Sequence, residues 1–269
     1  MSSFRVALDV MGGDNAPGVE LEGARRAILE EGMDLLLVGP EDRIHEGLSD
    51  LPAQYPGSYE ILHASERIHM DEDPVDAIRH KKDSSLLVAA DAVEDGRADV
   101  LVSAGNTGAV MAGTKIKWGV RKNISRPGIG THIPDVSPGG GYSIMIDVGA
   151  NVDSTPRQLV QFAMMGVVFC ETVLGKDDPS VGLLNLGGEA RKGDSLTREA
   201  YDRLEEQEMN FYGNIEGGDI PRGLTDVIVC DGFVGNVALK FGEGLMEAVF
   251  SYLKQNIKGS LRGKIGGWL

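Results

Sequence analysis

Five short segments of this 269-residue chain combine glycine with small polar side chains: Gly12-Gly13-Asp14-Asn15, Gly105-Asn106-Thr107-Gly108, Gly149-Ala150-Asn151, Gly187-Gly188-Glu189 and Asp231-Gly232-Phe233-Val234-Gly235-Asn236. Glycine lets backbone N–H groups approach a ligand closely, and Asn, Thr or Asp side chains fix polar groups beside them. Such loops suit an anion. Any one of them is explained as well by a tight turn, but five at one sheet edge argue together for a shared anion site.

Several familiar chemistries have no motif here. No G-x-G-x-x-G follows a strand, and in GGEARKG (187–193) Lys192 is followed by Gly rather than by Ser or Thr, so the segment is not a P-loop. No G-x-S-x-G elbow or H-E-x-x-H is present, and the five histidines and two cysteines show no metal-ligand spacing. No cofactor and no metal is expected. Cys230, just before Asp231, is the one candidate for a covalent acyl intermediate, weighed against the burial usual for strand cysteines.

The elements that must carry these loops follow from hydrophobic pattern. Short Val/Ile/Leu runs near 4–10, 34–38, 58–62, 99–103, 143–148, 180–186, 209–213 and 225–230 read as strands, and helical periods fall near 16–31, 74–95, 107–118, 157–174, 195–207 and 236–256. Strands without inside-outside alternation, separated by helices, predict an α/β fold with a mainly parallel sheet covered on both faces. Ligands in such sheets bind beyond the carboxyl ends of the strands, where the five loops fall.

Composition narrows the function. The chain is 42% apolar and 25% charged, enough for a packed core, and its 37 glycines exceed the roughly seven per cent of an average protein. A formal net charge of −15 argues against nucleic-acid binding. Two cysteines favour a reducing compartment, and neither a signal peptide nor a membrane span is visible, so a cytoplasmic location is expected. A single α/β domain is expected over 1–269.

The same residues carry a resemblance. ALDVMGGDNAP (7–17), PVDAIRHKKDSSLLVA (74–89), DVLVSAGNTGAVMA (99–112), IDVGANVD (146–153), QFAMMG (161–166), GLLNLG (182–187), KGDSLTREAY (192–201) and VIVCDGFVGNVALK (227–240) resemble, in order and over nearly the whole chain, the PlsX family. These phosphate acyltransferases convert acyl-[acyl carrier protein] and inorganic phosphate to acyl phosphate. The resemblance implies a three-layer α/β/α sandwich, similar to the phosphotransacetylase and isocitrate or isopropylmalate dehydrogenase folds, and a homodimer working in phospholipid synthesis upstream of a glycerol-3-phosphate acyltransferase. Two departures stand out: Gly188 and Ala190 replace part of an acidic run, and the family's C-terminal section past Leu269 is expected to be missing.

By that resemblance Lys192 is the fixed charge near phosphate or carbonyl and Asn236 an amide donor to the reacting centre; without it, Lys192 reads as a solvated loop lysine and Asn236 as a helix cap. Asn106, Thr107 and Gly108 open a helix after a strand and are candidates to hold phosphate, with Asn15 and Asn151 as polar liners and Asp231 and Gly235 at the last loop; N-capping serves equally well for several. Asp9, Asp147 and Asp231 stand at strand ends, where structural use is the readier reading. The basic segment 115–126, with Lys115, Lys117, Arg121 and Lys122, either docks an acidic carrier protein or is simply solvated. A basic amphipathic stretch over 250–269 is expected to protrude and, by resemblance, to place Leu261, Ile265 and Trp268 on a membrane surface, a core or dimer contact being the other reading. The competing functions are a short-chain phosphotransacetylase using acyl-CoA, a metal-dependent dehydrogenase of related fold, and a membrane-docked scaffold.

Overall fold

Apolar residues on successive positions dictate the first layer. In β2 (Asp34–Gly39) Leu35 and Leu37 face one way and Leu36 and Val38 the other, and all four are buried. A strand buried on both faces belongs in the middle of a layered unit. The computed structural model, which describes residues 4–51, 59–136 and 140–259, puts it between β1 (Arg5–Asp9) and β3 (Tyr59–His63), with β4 (Val100–Ser103) beyond β1. The sheet order is β3-β2-β1-β4 and every pairing is parallel.

Helices cover both faces of this sheet. Leu21, Ala24 and Ile28 of α1 (Gly18–Glu30) and Ile44 of α2 (Glu41–Gly47) pack against Val6, Leu35 and Leu37, while Ala89 and Ala92 of α4 (Ser85–Glu94) pack against Ala7, Leu36 and Val38. α3 (Pro74–His80) and α5 (Thr107–Trp118) share a further cluster with α4 through Ile78, Leu87 and Ala109. The result is a three-layer α/β/α unit.

A second unit repeats the scheme. Its strands are β5 (Gly130–Asp135), β6 (Gly141–Ile146), β7 (Val181–Leu184), β8 (Phe211–Ile215) and β9 (Val227–Val229), in the order β5-β6-β9-β7-β8. Only β5 runs antiparallel to its neighbour. α6 (Pro156–Val173) begins with a capping box between Thr155 and Gln158 and buries Leu159, Phe162 and Ala163 against Ile144, Ile146, Val227 and Val229. Gly166 permits that approach, since a Cβ there would lie 2.3 Å from Val227 Cγ1. Ala200 and Leu204 of α7 (Ser195–Glu205) join the same cluster, and on the opposite face Leu239 of α8 (Gly232–Gly259) packs on Met145, Leu184, Ile228 and Cys230.

The described residues fall into two compact units, divided between Lys122 and Asn123, each with its own sheet. The helix expected over 74–95 is two helices, because the backbone of Asp83 and Ser85, on either side of Ser84, bonds across to Glu66 (Glu66 N–H to Asp83 O, 3.1 Å; Ser85 N–H to Glu66 O, 3.1 Å). β5 and α2 were not anticipated: β5 is a half-exposed edge strand interrupted by Pro134, and α2 has only seven residues.

Candidate active site

In the second unit the carboxyl ends of β6, β9 and β7 are neighbours, and continuing the register Leu183↔Val229 sets Asn185 level with Asp231. Three loops leave this edge. The first is organised by Asp147, fully buried, whose Oδ1 accepts from the backbone N–H groups of Ile129 (3.1 Å), Gly149 (3.2 Å) and Ala150 (2.9 Å), and whose Oδ2 accepts from Asn151 N (2.7 Å) and Nδ2 (2.8 Å). A carboxylate receiving five N–H groups is a structural hub. Asn151 is likewise committed, its amide also donating to Pro127 O at 2.8 Å and its carbonyl accepting from Gly232 N–H at 2.9 Å.

The second loop starts α8. Asp231 Oδ1 accepts from the N–H groups of Phe233 and Val234, both at 3.0 Å, so this carboxylate caps the helix. Gly232 and Gly235 are required by contact: a Cβ on Gly232 would lie 2.7 Å from Asn151 O, and one on Gly235 only 1.9 Å from Asp147 O. Asn236 follows. Its side chain is exposed, makes no hydrogen bond among the described residues, and lies across Gly149, where φ is +136° and a Cβ would come 3.6 Å from Asn236 Cγ. A side chain at Gly149 would therefore strain the backbone, while its Cβ would rest in ordinary contact with that amide.

The third loop carries Lys192. It is set by two asparagines that sequence reasoning did not single out. Asn185 Nδ2 donates to Asn214 Oδ1 (3.1 Å) and to Lys192 O (3.1 Å), while the buried Asn214 donates through Nδ2 to Glu189 O (2.8 Å). Amides at the ends of β7 and β8 were the available signal, the buried Asn214 standing beside Gly213 in an otherwise apolar strand. The Lys192 ammonium is half-exposed and stands 3.7 Å from Glu189 Oε1, an open ion pair that leaves it able to meet an anion. Lys192 and Asn236 thus issue from one edge of one sheet, on loops held by buried polar anchors.

Cys230 lies beneath this edge, 2% exposed, its Sγ donating to Asp147 O at 3.2 Å. Burial, with the negative charges of Asp231 and Asp147, pushes its thiol far above the usual cysteine range. It is protonated at neutral pH and unsuited to nucleophilic attack.

The first unit has its own cluster at the ends of β1 and β4. Asp9 accepts from Ser85 Oγ (2.6 Å), Ser103 Oγ (2.7 Å) and Met11 N–H (3.1 Å) under Gly12, whose absent Cβ would meet Asp9, Ser103 and Gly105 within 2.8 Å. Asn106 caps α5 through Ala109 N–H (3.1 Å) and spends its Nδ2 on the carbonyls of His69, Met70 and Glu72. Gly108 is where α5 meets Pro74, 2.6 Å from a notional Cβ. Thr107 and Asn15 are exposed. Among the basic residues of α5 and beyond, Lys117 pairs with Asp91 at 2.5 Å, while Lys115, Arg121 and Lys122 are exposed beside Ile116, Trp118 and Val120. Leu261, Ile265 and Trp268 lie outside the described residues. No described helix is long and apolar enough to cross a membrane.

The fold defines a class. Solved phosphotransacetylases superpose on the chain: one from Streptococcus pyogenes with a TM-score of 0.63 at 15% identity, covering 91% of this chain and 82% of that one, and EutD from Staphylococcus aureus with 0.62 at 15%, covering 91% and 83%. Residues 4–269 match the family model described as fatty acid synthesis protein. Relatives named phosphate acyltransferase include those of Heliobacterium modesticaldum, 47% identical over 99% of this chain and 78% of its own length, and Geobacter sp. (strain M21), 49% identical over 98% and 74%. The chain belongs to this family of phosphate acyltransferases.

Proposed function

We propose that the protein transfers a fatty acyl group from an acyl-[acyl carrier protein] thioester to inorganic phosphate, giving acyl phosphate for phospholipid synthesis. The observation that carries this reading is the emergence of Lys192 and the free amide of Asn236 from one sheet edge, in a chain whose relatives are phosphate acyltransferases. Phosphate is largely dianionic near neutral pH and attacks a thioester without a strong base. A phosphate oxygen bonds to the carbonyl carbon, the C–S bond breaks, and the carrier thiolate leaves and takes up a proton from water. The protein's task is to hold the phosphate charge, aim it, and stabilise the tetrahedral oxyanion. Lys192 supplies the charge and Asn236 an N–H donor. Asp231, Gly235 and Asn151 hold the loops around these two residues.

The exposed Lys115, Arg121 and Lys122 suit an acidic carrier, and Lys117 is held by Asp91. The exposed Phe241, Leu245, Val249 and Leu253 along α8 supply the apolar surface that a homodimer needs. The protein works in the cytoplasm against the membrane surface, contacted by the segment with Leu261, Ile265 and Trp268, and hands acyl phosphate to a glycerol-3-phosphate acyltransferase.

Incubation with acyl carrier thioester and phosphate tests the reaction. Acyl phosphate accumulates with the native chain, and Lys192→Ala or Asn236→Ala lowers its rate by on the order of 100-fold while the fold persists. Faster turnover of short-chain acyl-CoA than of the carrier thioester would replace this reading by that of a short-chain phosphotransacetylase.

A further inference from the structure

The first unit contains a cavity of about 340 Å³ at the carboxyl ends of β1, β2 and β3, lined by Met11, Pro40, Arg43, Ser65, Glu66 and Arg67. Two guanidinium groups border it, and neither pairs with a carboxylate among the described residues. Arg43 is exposed on α2 and forms no hydrogen bond there. Arg67 uses Nη2 on Gly13 O at 3.2 Å, but its Nε–H is buried without an acceptor. An unmet donor on a charged group is costly, and such atoms ordinarily have a partner. The carboxylate of Glu66 accepts from Asp83 N–H (3.1 Å), and the Ser65 hydroxyl donates to Asp83 Oδ2 (2.5 Å), so both are held by Asp83, between α3 and α4.

We propose that this cavity is a binding site for a phosphate ester, its oxygens bridging the Arg67 and Arg43 guanidinium groups that line it. A planar guanidinium presents paired donors that match phosphate oxygens, and two of them on one cavity add their charge. The volume exceeds a bare phosphate and leaves room for the esterified group. The position, beyond the ends of parallel strands, is where ligands enter this fold class. The site uses neither Lys192 nor Asn236 and does not depend on the proposed reaction.

Isothermal titration of the full chain with methyl phosphate, 4′-phosphopantetheine and pantetheine tests it, with Lys192→Ala protein as the background. Methyl phosphate or phosphopantetheine binds that background, and Arg43→Ala in addition weakens binding about tenfold, as does Arg67→Lys, which keeps the charge but loses the fork. Arg43 is exposed and has no partner among the described residues, so Arg43→Ala keeps the thermal midpoint. Tighter binding of phosphopantetheine than of methyl phosphate, with pantetheine inert, identifies the ester as that of the acyl carrier's arm; equal binding identifies a free phosphorylated metabolite. No phosphate-ester binding to the Lys192→Ala protein, or binding that both arginine variants leave unchanged, overturns the site.

Discussion

Glycine is interchangeable or indispensable in this protein according to what its missing Cβ would meet. Gly235 sits in the first turn of α8 with Asp147 O at 1.9 Å and Cys230 Sγ at 2.7 Å from the notional methyl, and both neighbours belong to strand ends that cannot retreat without breaking the Asp147 hub. Gly188, beyond the neighbouring strand on the same edge, has nothing within 4 Å. Gly235→Ala is therefore expected to cost at least about 2 kcal/mol in chemical denaturation, against less than about 0.5 kcal/mol for Gly188→Ala. Equal losses would remove the case for close packing of α8 on β6. The buried thiol makes a second residue-level test. Since Cys230 is protonated and occupied by Asp147 O, Cys230→Ser should retain turnover within about tenfold, and mass spectrometry should find no acyl group on the native chain. An acylated Cys230 during turnover would contradict this.

At the scale of elements, legibility follows burial. β1, β2, β6 and β9 show unbroken apolar runs because both their faces are covered, and the sequence reading located them within a few residues. β5 gives no such signal: it pairs on one side only, alternates in exposure and contains Pro134. The break between α3 and α4 hides inside a run of good helical period, since it is made by bonds to Glu66, seventeen residues upstream of Asp83. Among the candidate site residues, Lys192 and Asn236 were named by resemblance and Gly235 and Asp231 by their loop, whereas Asn185 and Asn214 were not named, because an amide ladder is defined by its partners across strands. That ladder positions Lys192. Asn185→Ala removes the donors to Lys192 O and Asn214 Oδ1, so kcat should fall about tenfold or more, with a stability loss near 1 kcal/mol. A purely structural role would lower the melting point and leave kcat of the folded enzyme unchanged.

For the molecule as a whole, acid brings two opposed effects. The formal charge of −15 at neutral pH repels itself, and protonation toward the isoelectric point near 4.7 relieves that repulsion. Against this stand carboxylates whose ionised form is held by the fold. Burial pushes the Asp226 carboxyl up, but the Lys176 ammonium at 2.6 Å and the hydroxyl and N–H of Ser180 outweigh it and leave it below the usual range. In the other unit the Lys81 ammonium lowers Glu72, and the Ser65 hydroxyl and N–H lower Asp83. A carboxyl whose folded pKa is depressed stabilises the fold fully above its unfolded pKa, about 4 for Asp, and loses that contribution as pH falls through the lower folded value. Stability measured by thermal melts should thus be flat or rise slightly from pH 7 to about 5 and drop steeply below about 4. Asp226→Asn should lower the midpoint at pH 7 and make the acid limb shallower, because the variant has no carboxylate at that site to protonate. A variant limb as steep as that of the native chain would place the acid sensitivity elsewhere than in the Lys176–Asp226–Ser180 link between the start of β7 and the start of β9.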